Sequence, residues 1–237
     1  MKFTLVESFL SETLVTIQDE LNPVLWVDGK LRPEIKEKIM DLVNEFQSTL
    51  DIPLTILDIN IVGSNASYNY TDKSDVDVHI VTNFEEYGYP EELVDSAMNA
   101  FRSNFNRRYD ISYGKFNVEV YIEDIKSAPQ SNGIYSVLND EWIKFPQKLE
   151  PVEVDLEPEY SDYTNRILTT LESGTEEDIV QIVNELYLIR RNSLAAEGEF
   201  GKGNILFKQL RNDGLLDSLK QKRIEIVSKE LSIWSLE

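Results

Sequence analysis

The sequence predicts an α/β (mixed α+β) fold: a short mixed sheet flanked by helices, followed by a helical C-terminal domain. Three observations carry this. Runs at 56–62, 74–82 and 116–122 are rich in β-branched residues or alternate apolar with polar, the mark of strands. Segments at 33–46 and 91–106 place apolar residues three and four apart, as amphipathic helices do. Beyond residue 160 only the helical spacing persists.

Taken in order, residues 3–20 show mixed helical spacing and predict a helix, stopped by Asn22-Pro23, with a turn at Asp28-Gly29. Pro33, at ease in a first helical turn, opens a helix whose Ile35, Ile39, Leu42, Val43 and Phe46 share one face. Asp51-Ile52-Pro53 ends it. The run 56–62 reads as a buried strand closing at Gly63. In the next strand Val76, Val78 and Ile80 alternate with Asp75, Asp77 and His79. Gly114-Lys115 marks a hairpin turn between 109–113 and 116–122. From about 126 prolines 129, 146, 151 and 158 fall among acidic and aromatic residues and predict a connector, pinned to the core by Trp142 with Tyr135 and Phe145. Thr175-Glu-Glu-Asp178 resembles a capping box ahead of Ile179, Ile182, Val183, Leu186 and Ile189. Asn204 is placed to cap a helix ending at Gly214, and 215–233 reads as the last helix. The expected domains are 1–125 (α/β, with N-terminal helices), 126–160 (connector) and 161–237 (helical).

Composition narrows the function. The 237 residues are 41% hydrophobic and 28% charged, ordinary for a globular protein. No apolar run approaches the ~18 residues of a membrane span. The N-terminus lacks the pattern of a secretory signal, so the expectation is cytoplasmic and without a membrane partner. Cysteine is absent and His79 is the single histidine, which excludes thiolate chemistry and the His-rich sites typical of zinc. A net charge of −20 disfavours bulk nucleic acid as a partner. The charge is uneven: residues 186–237 hold 9 Lys/Arg against 7 Asp/Glu, so the acidic excess lies upstream.

The segment IVGSNASYNYTDKSDVDVHIV carries the chemistry. A strand ends in Gly63-Ser64, ten residues intervene, and a second strand begins Asp75-Val76-Asp77. Two carboxylates two residues apart on a strand project from one side, and their repulsion is relieved by a cation. Mg²⁺ takes oxygen ligands and keeps substrate phosphates in its shell. Gly63 lets a phosphate approach the backbone, and Ser64 offers a hydroxyl and an N–H. Metals and donors arranged around an in-line displacement are what phosphoryl transfer requires.

Val62-Gly63-Ser64 and Asp75-Val76-Asp77-Val78 together resemble the signature of the polymerase-beta-like nucleotidyltransferase superfamily. The resemblance implies a third carboxylate from a later strand, for which Val118-Glu119-Val120 fits, with Glu123 as fallback. It further implies Mg²⁺ (or Mn²⁺) held by Asp75, Asp77 and Glu119, with Glu119 activating an acceptor hydroxyl. Gly63 and Ser64 would cradle the phosphates of a nucleoside triphosphate (NTP). The expected activity is transfer of a nucleoside monophosphate to an acceptor, whether RNA, protein or small molecule, releasing pyrophosphate. The fold it implies is a short mixed sheet backed by helices and a helical domain closing over the nucleotide. Segments such as LRPEIKEKIMDLVNEF, GIYSVLNDEWI and GNILFKQLRNDG also look like uncharacterised nucleotidyltransferases of large bacteriophages, which would place the protein in the host cytoplasm. The alternative is a catalytically inactive binding or virion-associated module on the same fold.

Other residues carry expectations of their own. Many members have a glycine four or five residues after Gly-Ser; here Tyr68, Asn69 and Tyr70 stand in that loop, Asn69 able to adopt a left-handed backbone and the tyrosines to pack the loop or stack on a base. His79 would orient a carboxylate or satisfy a local hydrogen bond. Arg190, Arg191, Lys202, Lys208 and Arg211 are candidate phosphate contacts, Lys208 and Arg211 sharing a helix face. The stretch EGEFGKGN, with glycines 198, 201 and 203, reads as a flexible interhelical loop, or else as an anion-binding turn.

Overall fold

The computed structural model describes Thr13–Leu14 and residues 17–127, 131–150 and 153–233. The chain forms two compact units, Thr16–Pro151 and Met1–Val15 with Val152–Glu237. In chain order the strands and helices are β1 (Thr13–Leu14), β2 (Trp26–Val27), β3 (Lys30–Leu31), α1 (Pro33–Ser48), β4 (Asp58–Val62), β5 (Val76–Thr82) and α2 (Glu91–Arg108). There follow β6 (Ser112–Tyr113), β7 (Phe116–Asp124), β8 (Ile134–Ser136), β9 (Glu141–Lys144) and β10 (Glu153–Val154). The helices α3 (Glu159–Ser173), α4 (Glu176–Glu197), α5 (Lys202–Asn212) and α6 (Leu215–Leu231) complete it. Among the described residues no helix is long and apolar enough to cross a membrane.

The α/β unit is built on a six-stranded mixed sheet of order β6-β7-β5-β4-β8-β9. β5 and β7 run parallel, joined by α2, while every other pairing is antiparallel. Parallel neighbours need such a crossover because no tight turn can link them. Two turns at positive φ are met as expected: Asp28-Gly29 (φ 51° and 73°) joins β2 to β3, and Gly114 (φ 62°) opens the turn from β6 to β7. Helix α1 buries Ile35, Ile39, Leu42, Val43 and Phe46, the stripe its spacing predicts. These residues share one apolar cluster with Val76, Val78 and Ile80 of β5, Val118 and Val120 of β7, and Met98 and Phe105 of α2. The Phe46 and Phe105 rings meet edge-on at 5.1 Å. On the far side of β7, Asn106 of α2 takes up the Val120 backbone twice: its Nδ2 donates to the carbonyl (2.9 Å) and its Oδ1 accepts from the N–H (3.1 Å). That covers part of a strand edge which would otherwise stay unpaired.

Some expectations change. Most of the helix expected over 3–20 lies outside the described residues; within them, Thr13–Leu14 pair with β10 as a strand and 17–20 are not helical. The 126–160 segment does not merely connect, since β8 and β9 extend the central sheet. Trp142, Tyr135 and Phe145 do form one aromatic cluster there, joined by Trp26 at 4.7 Å and 5.0 Å from Trp142 and Tyr135. The Trp142 indole N–H donates to Gly29 O. Asn69 does not take a left-handed backbone: among described non-glycine residues only Asp28 and Asp140 have positive φ.

The helical unit has its own core, including Ile167, Ile179, Ile182, Leu186, Leu206, Leu210 and Leu219. Thr175 and Asp178 form the expected capping box at the start of α4. Asn204, in contrast, lies inside the first turn of α5 and its Nδ2 donates back to Glu199 O. Of the glycines before it, Gly201 and Gly203 serve close packing, whereas Gly198 (φ 75°) has nothing within 4 Å of where a Cβ would stand. A Cβ on Gly201 would meet Ser193 Oγ at 2.2 Å, and one on Gly203 would meet Ile189 Cγ2 at 2.7 Å. Their lack of side chains lets α5 press against α4.

An acid-sensitive contact ties α3 to α4. Arg166 donates to Glu185 through both terminal nitrogens (3.2 and 2.7 Å), and the Tyr163 hydroxyl donates to Glu185 Oε1. The Arg166 guanidinium first, then the Tyr163 hydroxyl, hold the Glu185 carboxyl below the usual glutamate range. A carboxyl with a depressed folded-state pKa adds stability above its unfolded pKa of about 4.3 and loses it as pH falls through the folded value. Glu185→Gln is therefore expected to flatten the fall in urea midpoint below about pH 4.3. Equal slopes for wild type and variant would remove this contact from the acid response.

Candidate active site

The site grows from the end of β4. Gly63 follows the buried Val62 with φ 74° and ψ −161°, a backbone state that side chains strain to adopt. It has a second reason to be glycine. A Cβ there would sit 2.2 Å from Asp77 Oδ2, so the carboxylate occupies the space a side chain would fill. The Gly63 N–H donates to Ser131 Oγ (3.0 Å), and Ser64 begins a 3₁₀ turn through Ala66. The Ser64 hydroxyl donates to Ser74 Oγ (2.9 Å), tying the two ends of the intervening loop together.

Asn65, fully buried, organises that loop, and no sequence signal singled it out. Its Nδ2 donates to Asp75 O (2.9 Å), its Oδ1 accepts from Asn22 Nδ2 (2.6 Å), and its carbonyl accepts from Trp26 Nε1 (2.7 Å). Asp75 is thereby held by its backbone immediately before β5. Tyr68 and Tyr70 pack their rings against the apolar core, and their carbonyls receive Gln18 N and Gln18 Nε2. The tyrosines pack the loop.

Register assembles the rest. Across the parallel β5–β7 pair, Asp77 stands opposite Glu119, His79 opposite Tyr121 and Val81 opposite Glu123. Paired residues project from one face, so Asp77, His79, Glu119, Tyr121 and Glu123 share the face opposite Val76, Val78, Val118 and Val120. The Tyr121 hydroxyl donates to Glu119 Oε2 at 2.5 Å. Its ring lies 4.9 Å from His79, and the Arg102 guanidinium sits over it at 4.6 Å. His79 Nδ1 is 2.9 Å from Glu123 Oε2, so the fallback carboxylate is engaged by the histidine. Burial above all, then the Glu119 hydrogen bond and the charges of Asp77 and Glu119, push the Tyr121 phenol well above the ordinary tyrosine range, Arg102 acting in the opposite sense. At neutral pH the phenol is a donor. Tyr121 and Arg102 escaped the sequence reading because neither lies in a motif.

Hard oxygen donors in register, one of them set against Gly63, suit a divalent cation by their chemistry. As the side chains stand, no three Asp, Glu, His or Cys groups among the described residues converge closely enough to hold one ion. The remaining candidates belong to the helical unit. Lys208 and Arg211 lie half-buried on α5, Lys202 pairs with Glu159 at 2.9 Å, and Arg190 stacks over Phe207 at 4.8 Å.

Searched by sequence, the chain matches no protein-family model and no curated protein. Among solved structures it is similar to the CdnE cyclic dinucleotide synthase of Elizabethkingia meningoseptica, bound to GTP and Apcpp. That match has 11% identity, covers 82% of this chain and 78% of the other, and has a TM-score of 0.27. A second is the CdnE c-UMP-AMP synthase of Rhodothermus marinus with Apcpp and Upnpp, at 14% identity, 84% and 79% coverage and a TM-score of 0.23. Likeness this distant says nothing about the activity of this chain.

Proposed function

We propose that the protein is a metal-dependent nucleotidyltransferase that transfers a nucleoside monophosphate from an NTP to an acceptor and releases pyrophosphate. The observation that carries this reading is the Asp77–Glu119 pair, in register on parallel strands, with the Asp77 carboxylate set against Gly63. In an acidic chain lone carboxylates are common, but two forced side by side on neighbouring strands cost electrostatic energy that a cation offsets.

Asp75, Asp77 and Glu119 would hold Mg²⁺ or Mn²⁺, which when bound supplies charge neutralisation on the phosphates. Gly63 and Ser64 would border the β- and γ-phosphates. The acceptor hydroxyl attacks the α-phosphorus, its proton passing to the Glu119 carboxylate. The bond from the α-phosphorus to the bridging oxygen breaks, and pyrophosphate departs with that oxygen. Incubating the protein with each of four labelled NTPs, Mg²⁺ or Mn²⁺ and a cell lysate tests this. Label transferred by wild type and not by Asp75→Ala/Asp77→Ala is the expected result, and it identifies both nucleotide and acceptor class. No transfer with any NTP under either metal overturns it.

One observation favours a second reading, a binding module on this fold without turnover: no three carboxylate or imidazole groups close around a point among the described residues. Pyrophosphate release that depends on Asp77 excludes it.

A further inference from the structure

We propose that Ser131 and Lys144 form an anion subsite beside Gly63 that takes a phosphate group of a bound triphosphate; that the triphosphate belongs to an NTP rests on the reading above. The Gly63 N–H, the donor an approaching phosphate would meet first, is already given to Ser131 Oγ (3.0 Å). A hydroxyl that accepts this bond keeps its own hydrogen to donate, and no acceptor among the described residues takes it. Ser131 is only 6% exposed, so bulk water has little access to that hydrogen. The segment around it is fixed. Asn132 Nδ2 donates to Ser67 Oγ (2.9 Å), and a Cβ on Gly133 would stand 1.8 Å from Ala66 O. Three successive residues thus lace onto the turn that starts at Gly63, and the hydroxyl is placed ahead of any ligand.

The positive charge comes from Lys144 of β9. Its Nζ donates to Ser131 O (2.6 Å), which leaves two of its three N–H groups unused. In the same unit Lys30, Lys36, Lys38, Lys115, Lys126 and Lys148 each pair with a carboxylate, as a chain of net charge −20 favours. Lys144 makes no such pair among the described residues. A register shift aims it: Trp142 stands opposite Tyr135 but Lys144 opposite Ile134, so Ile143 is an extra residue and Lys144 leaves the Trp142 face. The face it joins carries Ile134 and Ser136. Ser136 stands opposite Asn60 and Asn60 opposite His79, which puts Lys144 on the face of Asp77. A phosphate oxygen accepts from both ammonium and hydroxyl, and the ammonium offsets the negative field of Asp75 and Asp77.

Calorimetric titration of the full chain with inorganic triphosphate in the presence of EDTA tests the subsite with metal ions removed. Wild type is expected to bind, Lys144→Gln to bind about tenfold more weakly, and Lys144→Arg to recover most of that loss. Glutamine can still donate to Ser131 O, so the melting temperature is expected to hold. Ser131→Cys, close in size but a weak donor, is expected to weaken binding as well. No triphosphate binding by wild type, or equal binding by wild type and Lys144→Gln, overturns the subsite. A lower melting temperature in Lys144→Gln with binding unchanged would mark a lysine that only caps the Ser131 carbonyl. The two readings fail separately. Asp77-dependent transfer from an NTP with KM unchanged in Lys144→Gln strikes the subsite alone. Triphosphate binding that weakens in Lys144→Gln, with no nucleotide transferred by wild type, strikes the enzyme reading and leaves the anion subsite standing.

Discussion

Replacing Asp77 by asparagine is expected to lower NTP-dependent pyrophosphate release by at least about a thousandfold, roughly 4 kcal/mol of barrier. The change keeps the shape of the side chain and removes only its charge. Asp77 stands at the centre of the site: its carboxylate fills the space beside Gly63, and its strand partner is Glu119. Because two like charges in register repel, holding them side by side costs the fold something, so the carboxamide is expected to leave thermal stability unchanged or slightly raised. The pairing of those two results is what matters. Lost turnover with kept stability marks a residue used for chemistry, whereas lost turnover with a lower melting temperature would mark a structural one. Wild-type rates in Asp77→Asn would end the catalytic reading.

The second large effect is expected at Gly63. An alanine there meets two penalties at once, backbone strain at φ 74° and ψ −161°, and a Cβ placed 2.2 Å from Asp77 Oδ2. Strain of this sort costs about 1–3 kcal/mol, and the contact must push the Asp77 carboxylate out of place. Gly63→Ala is thus expected to lower the urea unfolding free energy by at least that amount and to abolish turnover as fully as Asp77→Asn. Adding Asp77→Gly separates the two penalties: the double variant should recover part of the stability, since the collision is gone, and none of the activity. No recovery would mean that backbone strain alone accounts for the loss.

Much of this was legible in the chain because it is written locally. The stripe on α1, the alternation in β5 and β7, the two positive-φ turns and the capping box at Thr175 each depend on residues within a few positions of one another. What stayed hidden depends on partners far away. β8 and β9 are three and four residues long with a register shift between them, too short for alternation to stand out among prolines and aromatics. Asn65 draws its partners from Asn22, Trp26 and Asp75, so nothing around it advertises its role. Glycines 201 and 203 were misread because an absent Cβ looks the same whether it frees a loop or admits a neighbouring helix. At the candidate site, Gly63 and Asp77 were nameable from spacing and Glu119 from the family resemblance, but the register that sets Asp77 opposite Glu119 was not. The Tyr121 hydroxyl on Glu119 became visible only once β7 was laid beside β5.

The crossover between those two strands leaves a duty to Asn106. Antiparallel neighbours linked by a tight turn inherit their alignment from the turn, whereas β5 and β7 share none and could in principle slide. A slip of one position would set Val118 or Val120 against Asp77 in place of Glu119, turning a pair of acids into an acid facing a hydrocarbon. Asn106, by clasping both backbone groups of Val120, fixes where β7 stops along α2. Alongside the buried apolar face of both strands, a carboxamide on a helix thus helps hold the alignment of the acidic pair, on a residue that no search for reactive groups would single out.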